Sequence, residues 1–139
     1  NIPFNGLGVA GAAGYEAMVA GQIDCSRPVG PCLATDGLLE DGRWERLVRA
    51  LMEEIVAVSQ ALGRPVAPAR IEDNIERTRR MGAYKASTLL DFEHGLPLEL
   101  DTLFLEPLRR ARLTGVATPV LERLCGVLAG LAGRSEAEH

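Results

Sequence analysis

The sequence predicts an all-α domain, a bundle of five or six helices joined by short loops, and three observations predict it. Apolar residues recur at three- and four-residue steps over most of the chain. No stretch alternates apolar and polar residues long enough to make a strand, and Gly and Pro mostly punctuate the periodic segments. With 139 residues, 47% of them apolar and 24% charged, the chain can bury one core and reads as one domain over residues 1–139.

The opening stretch, "NIPFNGLGVAGAAGYEAMVAG", is too glycine-rich and too interrupted for a membrane span, and no basic segment precedes it as in a signal peptide. If "NIPFNGLG" is helical, Asn1 and Asn5 lie one turn apart and both amides share a face. The next stretch, "GQIDCSRPVGPCLATDG", mixes Gly, Pro, Asp and Ser without period and reads as a surface loop. The clearest helix is "RWERLVRALMEEIVAVSQAL", where Trp44, Leu47, Val48, Leu51, Ile55, Val58 and Leu62 form one apolar face that Gly63 and Pro65 bring to a stop.

A helix from about Pro68 places Ile71, Ile75 and Thr78 on one side, with Asp73–Arg77 and Glu76–Arg80 as acid-to-base pairs four apart on its exposed face. Another ends at Gly95. In "LPLELDTLFLEPLRRARLTG", Leu100, Leu103, Leu108, Ala111 and Leu113 keep a helical period that Pro107 should kink. The last helix has Thr118 as N-cap, Pro119 at its first position and Leu121, Leu124, Leu128 and Leu131 on one stripe.

Charge and cysteine content narrow the function classes. A net charge of −4 gives no field that gathers nucleic acid or an anionic membrane surface, and the clusters "RTRR" and "RRAR" sit beside acidic residues as solvated helix faces do. A DNA-binding helix-turn-helix has the same charge against it. Cys25, Cys32 and Cys125 are odd in number and lack the spacing of a zinc site, so we expect no metal, free thiols and a reducing, cytoplasmic setting. A chain that opens on Asn1 also reads as a piece of a longer protein.

Polar residues concentrate in "STLLDFEHGLPLELD". Ser87 and Asp91 share a helix face, while Glu99 and Asp101 stand in the first turn of the next helix. Taken one at a time they have plain readings: an exposed hydroxyl for Ser87, dipole complementation for Glu99, a surface site for His94, and end-capping for the two asparagines. Together they make a polar corner where two helices meet, a usual place for a ligand in a helical domain.

Three motifs in order resemble one family. "KASTLLDFEHGLPLELD" is similar to the Ser-Met-x-x-Asp, Gly, Glu-Ile-Asp segment of the ketopantoate reductases. "NIPFNGLG" resembles that family's Asn-x-x-x-Asn segment, and "GVATPVLERL" its Gly-Val-x-x-Pro helix opening. The resemblance implies the C-terminal helical domain of a 2-dehydropantoate 2-reductase, a bundle of the 6-phosphogluconate dehydrogenase C-terminal-like type. In the family it is paired with an N-terminal Rossmann domain that holds NADPH and lies outside this sequence.

It further implies that the enzyme reduces 2-dehydropantoate, or a similar 2-keto acid, to the 2-hydroxy acid on the way to pantothenate and coenzyme A. Asn1, Asn5 and Ser87 would contact the substrate, Glu99 would act as the catalytic carboxylate beside a lysine one turn upstream of Asn1, and Asp91 and Asp101 would orient helices. This chain alone would then be inactive. A homodimer through the helical domain stays open, and the competing reading is a non-catalytic helical interaction module. The sequence departs from the family at Thr88 and Leu89, at Phe104 and Leu105, at Pro107, and in a longer link from about Gly14 to Asp36.

Overall fold

The computed structural model describes residues 2–23, 30–85, 87–96, 100 and 104–138, with Ile2, Ser87 and 134–138 as backbone only. Among the described residues the chain forms eight α-helices and no strand, so the all-α expectation holds and the expected helix count was low. The helices are α1 (Ile2–Ala10), α2 (Tyr15–Ala20), α3 (Thr35–Glu40), α4 (Gly42–Ala61), α5 (Ala69–Arg80), α6 (Ser87–Glu93), α7 (Glu106–Thr114) and α8 (Pro119–Glu138). The two that periodicity missed, α2 and α3, are six residues each, under two turns, and too short to display a repeat.

The centre of the bundle is α1. Apart from Asn5 it is apolar, as a helix enclosed by others must be: Phe4, Leu7, Val9 and Ala10 are buried, and α2, α3, α4, α6 and α8 all pack on it. Gly8 lets an extended segment cross this helix closely. The Leu33 N–H donates to the Gly8 carbonyl at 2.9 Å, and Gly30 N–H donates to the Ala12 carbonyl at 2.8 Å. A Cβ on Gly8 would stand 2.9 Å from the Leu33 carbonyl oxygen. The expected surface loop is therefore corrected: Cys32 is buried and Leu33 half-buried against α1, while residues 24–29, Cys25 among them, lie outside the described residues.

The longest amphipathic segment becomes α4. Asp41 caps it through Oδ1, which accepts from Arg43 N–H at 2.9 Å. Trp44, Val48, Leu51 and Met52 are buried, and Tyr15 meets Trp44 edge to face at 5.9 Å. The helix ends as expected at Gly63, in the left-handed region at φ 80°, with Arg64 N–H donating to Ser59 O at 2.8 Å and Gly63 N–H to Gln60 O at 3.0 Å, the paired bonds of a Schellman stop. Its last turns are less covered than the sequence stripe suggested: Ile55 and Val58 are half-buried and line open grooves, and Leu62 is exposed.

Ile75 and Thr78 of α5 are buried as expected, with Ile71 packed beside them. The expected pairs Asp73–Arg77 and Glu76–Arg80 do not form among the described residues. The charges pair across helices instead, Arg49 with Glu72 and Arg79 with Glu45, and Glu76 takes Arg79 at 3.4 Å. An isolated pair four apart contributes only a few tenths of a kcal/mol, so acidic and basic partners on α4 outcompete it easily.

Pro107 does interrupt its segment. The helical ladder widens at Phe104 and Leu105, and α7 restarts with the proline in its first turn, where the missing N–H costs nothing. The restart shifts the phase, so Leu108 and Ala111 are buried while Leu113, two residues or about 200° further round, is 87% exposed. Leu103 lies outside the described residues. In α8 the predicted stripe of Leu121, Leu124, Leu128 and Leu131 is buried. The Thr118 expectation is modified: the N–H groups of Val120 and Leu121 donate to Oε2 and Oε1 of Glu54, each at 2.9 Å, so a carboxylate from α4 serves the N-terminus of α8.

Candidate functional site

A cavity of about 300 Å³ opens where α1, α3, α5 and α6 converge. Phe4 and Asn5 come from α1, Thr35 from α3, Thr78 from α5 and Leu89 from α6, while Leu33, Met81 and Tyr84 come from the connecting segments. The fold dictates these positions. Central α1 carries Asn5 on the side that faces α6, and the strap crossing at Gly8 brings Leu33 and then Thr35 to the same spot.

Most of the cavity's polar atoms are already engaged. Thr35, at the first position of α3, makes a three-bond fastening to the turn after α5. Its Oγ1 donates to Gly82 O at 2.5 Å and accepts from Tyr84 N–H at 3.1 Å, and its own N–H donates to Tyr84 O at 3.0 Å. Gly82 has φ 64°, the left-handed geometry that lets the turn close there. The Thr78 hydroxyl donates to Asn74 O at 2.7 Å. Among the described residues, the side-chain amide of Asn5 makes no hydrogen bond within the protein, so its donor and acceptor are available to a ligand.

Of the residues singled out from the sequence, Asn5 thus lines the cavity. Ser87 opens α6, the helix whose Leu89 forms the opposite wall, although its side chain is outside the described residues. Asp91 and His94 are exposed on or just after α6. Asn1, Glu99 and Asp101 lie outside the described residues. Phe104, one of the positions that departs from the family pattern, is buried in the core against α1 and does not line this cavity. Sequence reading missed Thr35, Met81 and Tyr84, and the one local signal was the glycine of "MGAYK" after a helix with basic residues in its last turn.

Beside the cavity a second polar group ties the strap to α6. Both carboxylate oxygens of Glu93 accept from Lys85 Nζ, at 2.9 and 3.0 Å, and Oε2 also accepts from the Cys32 N–H at 3.3 Å. The Lys85 hydrogen bond holds the Glu93 carboxyl below the usual carboxylate range, and Glu93 in turn raises Lys85. Burial, with the Glu93 charge adding to it, pushes the Cys32 thiol up to about 12. Burial likewise pushes Cys125 up to about 11, so both of these free thiols are held neutral and unreactive. Burial also raises Glu54, against the pull of its two backbone hydrogen bonds.

No metal-ligand cluster occurs among the described residues, and no described helix is long and apolar enough to cross a membrane. A nicotinamide cofactor also finds no cradle among them. Gly6 and Gly8 of "GLGVAG" are inside α1 and Gly11 directly follows it, and side chains of Leu124, Phe104, Leu89 and Leu33 crowd the positions their Cβ atoms would take. Those glycines serve helix packing and do not bind pyrophosphate.

Comparison with known proteins agrees with this architecture. The family described as "Ketopantoate reductase PanE/ApbA C terminal" matches residues 30–132. The chain is 30% identical over 135 residues to 2-dehydropantoate 2-reductase of Nostoc sp., a match that takes in 97% of this chain and 36% of that protein. It superposes on crystal structures of 2-dehydropantoate 2-reductase from Geobacter metallireducens (30% identity, TM-score 0.71, 97% of this chain and 38% of that one) and Methylococcus capsulatus (32% identity, TM-score 0.69, 91% and 41%). The helical bundle is therefore that of an oxidoreductase family's C-terminal domain. The chain belongs to the ketopantoate reductase C-terminal family, and it spans about a third of the length of the curated relative it matches.

Proposed function

We propose that this chain is the substrate-binding helical domain of an NADPH-dependent reductase that converts 2-dehydropantoate, or a similar 2-keto acid, to the 2-hydroxy acid. The observation that supports it most is the Asn5 amide, unpartnered among the described residues, in the wall of a cavity sized for a small ligand, within a chain of this family. A 2-keto acid presents a carboxylate and a ketone oxygen, and an amide can donate to either. NADPH, held by an N-terminal Rossmann domain of the whole protein, would supply the hydride.

The remaining roles belong to this chain and its upstream flank. Asn1 and Ser87 join Asn5 in holding the keto acid in register, and a lysine one turn before Asn1 protonates the developing alkoxide. Glu99 keeps that lysine charged and hydrogen-bonds to the substrate. Asp91 and Asp101 orient their helices. The isolated chain, without that upstream lysine or a Rossmann domain, turns over nothing. The whole protein works in the cytoplasm and pairs as a homodimer through its helical domain, which light scattering of the full-length protein tests.

The distribution of kinetic effects separates these roles. In the full-length enzyme, Ser87→Ala should raise KM about tenfold with kcat nearly kept, the signature of lost ground-state binding, whereas Glu99→Gln should lower kcat by about 10²-fold or more. Unchanged kinetics in both variants would remove the site assignment.

A further inference from the structure

The turn after α5 carries an arrangement that the roles above leave unused. Met81 and Tyr84 line the cavity together with Asn5, yet they are 49% and 48% exposed, so they stand at its mouth and not in its floor. The backbone beneath them is fixed. Thr35 holds the Gly82 and Tyr84 backbone by the three hydrogen bonds already described, Tyr84 N–H also donates to Gly82 O at 2.9 Å, and Thr35 itself is buried. A half-exposed aromatic on a mobile loop is a weak wall, but one on a fastened backbone presents a fixed surface to whatever enters.

Polarity divides the cavity in two. Among the described residues, the Thr35 and Thr78 hydroxyls are engaged by main-chain groups, which leaves the Asn5 amide as a polar end on α1. The other contributions, from Leu33, Leu89, Met81 and the ring of Tyr84, are apolar. A ligand with one polar end and a compact apolar substituent matches this division, and a small keto acid without a substituent leaves the apolar wall in contact with water.

We infer that Met81 and Tyr84 are specificity-determining residues, which select 2-keto acids carrying a branched apolar substituent over unbranched ones. The inference rests on the 2-keto-acid reading of the cavity and adds to it the group that contacts the substituent. One or two methyl groups in an apolar pocket are commonly worth about 10-fold or more in selectivity, which sets the size of the expected effect.

The test uses the full-length enzyme with NADPH and compares kcat/KM for 3-methyl-2-oxobutanoate and 2-dehydropantoate with that for pyruvate. Wild type should prefer the branched acids. Met81→Ala and Tyr84→Ala should each shrink that preference about tenfold, mainly through KM of the branched acids, while Tyr84→Phe, which keeps the ring, and Leu113→Ala, on the exposed side of α7, should preserve it. A wild-type enzyme active on keto acids whose preference survives both alanine variants overturns this inference alone. A folded wild type that reduces none of the keto acids overturns the underlying reading as well. Because the readout is a ratio between substrates on one protein, a general loss of stability does not imitate the expected result.

Discussion

Replacing Gly8 by alanine places the packing of α1 and the shape of the cavity under one test. In an unobstructed helix the change should stabilise by about 0.5–1 kcal/mol, because alanine loses less backbone entropy than glycine. At Gly8 the new Cβ would lie 2.7 Å from a Leu89 methyl and 2.9 Å from the Leu33 carbonyl oxygen. An ordinary contact begins near 3.4 Å, so backbone and side chain must each yield by about half an ångström. The Leu33 N–H bond to Gly8 O lies in the same crossing and must stretch or tilt. Overpacking of this kind typically costs about 1–3 kcal/mol, which outweighs the propensity gain and leaves a net loss of about 1–2 kcal/mol.

Gly133 in α8 supplies the internal control, since a Cβ there meets nothing within 4 Å. Thermal unfolding of the 139-residue chain followed by circular dichroism should show Gly8→Ala melting about 3–8 °C lower and Gly133→Ala unchanged or slightly higher. Equal stabilisation by both substitutions would mean that the strap does not cross α1 at Gly8. It would refute the account of how Leu33 and Thr35 reach the cavity.

Three further outcomes follow from individual contacts. Glu54→Ala should cost about 1–2 kcal/mol and speed amide exchange at Val120 and Leu121, because two N–H groups at the start of α8 lose their acceptor; unchanged exchange there would contradict the cap. Cys32 and Cys125 should resist a thiol reagent at pH 8 in the folded protein and react once urea unfolds it, since burial suppresses their thiolates; rapid labelling of either in the native state would show it accessible. The Lys85–Glu93 pair should make stability depend on pH in a defined direction. Glu93 is held below its usual range, so its contribution is present above about pH 4.3 and is lost as pH falls through its lower folded value. Lys85 is raised, so its contribution is present below about pH 10.4 and is lost as pH rises through its higher folded value. Glu93→Gln should therefore melt lower than wild type at pH 7 and approach it near pH 3; a constant gap at both values would rule the pair out as the source.

The long helices were legible because their periodicity reflects the core directly. The stop of α4 at Gly63 and the buried stripe of α8 both followed from residue spacing. Elements set by distant partners were not legible. The strap from Gly30 to Ala34 is short and without period in sequence, and it is packed down because Gly8 allows a close crossing and Glu93, 61 residues away from Cys32, accepts its N–H. The cap of α8 by Glu54 and the cross-helix ion pairs of α5 have the same cause, since sequence spacing reveals only partners within a turn or two. Of the candidate site, Asn5 was visible through its family motif, whereas Tyr84 and Met81 owe their place to a fastening between Thr35 and Gly82 that no local pattern announces.

The proposed binding of a 2-keto acid for reduction in the cavity at Asn5 is tested by NADPH oxidation by the full-length protein with 2-dehydropantoate, wild type beside Asn5→Ala. Wild type should turn over, and kcat/KM should fall at least about tenfold in the variant, from the loss of a hydrogen bond to a charged or developing-charge oxygen. Equal kcat/KM in the two proteins, or a folded wild type that consumes no NADPH with 2-dehydropantoate or related 2-keto acids, would contradict it.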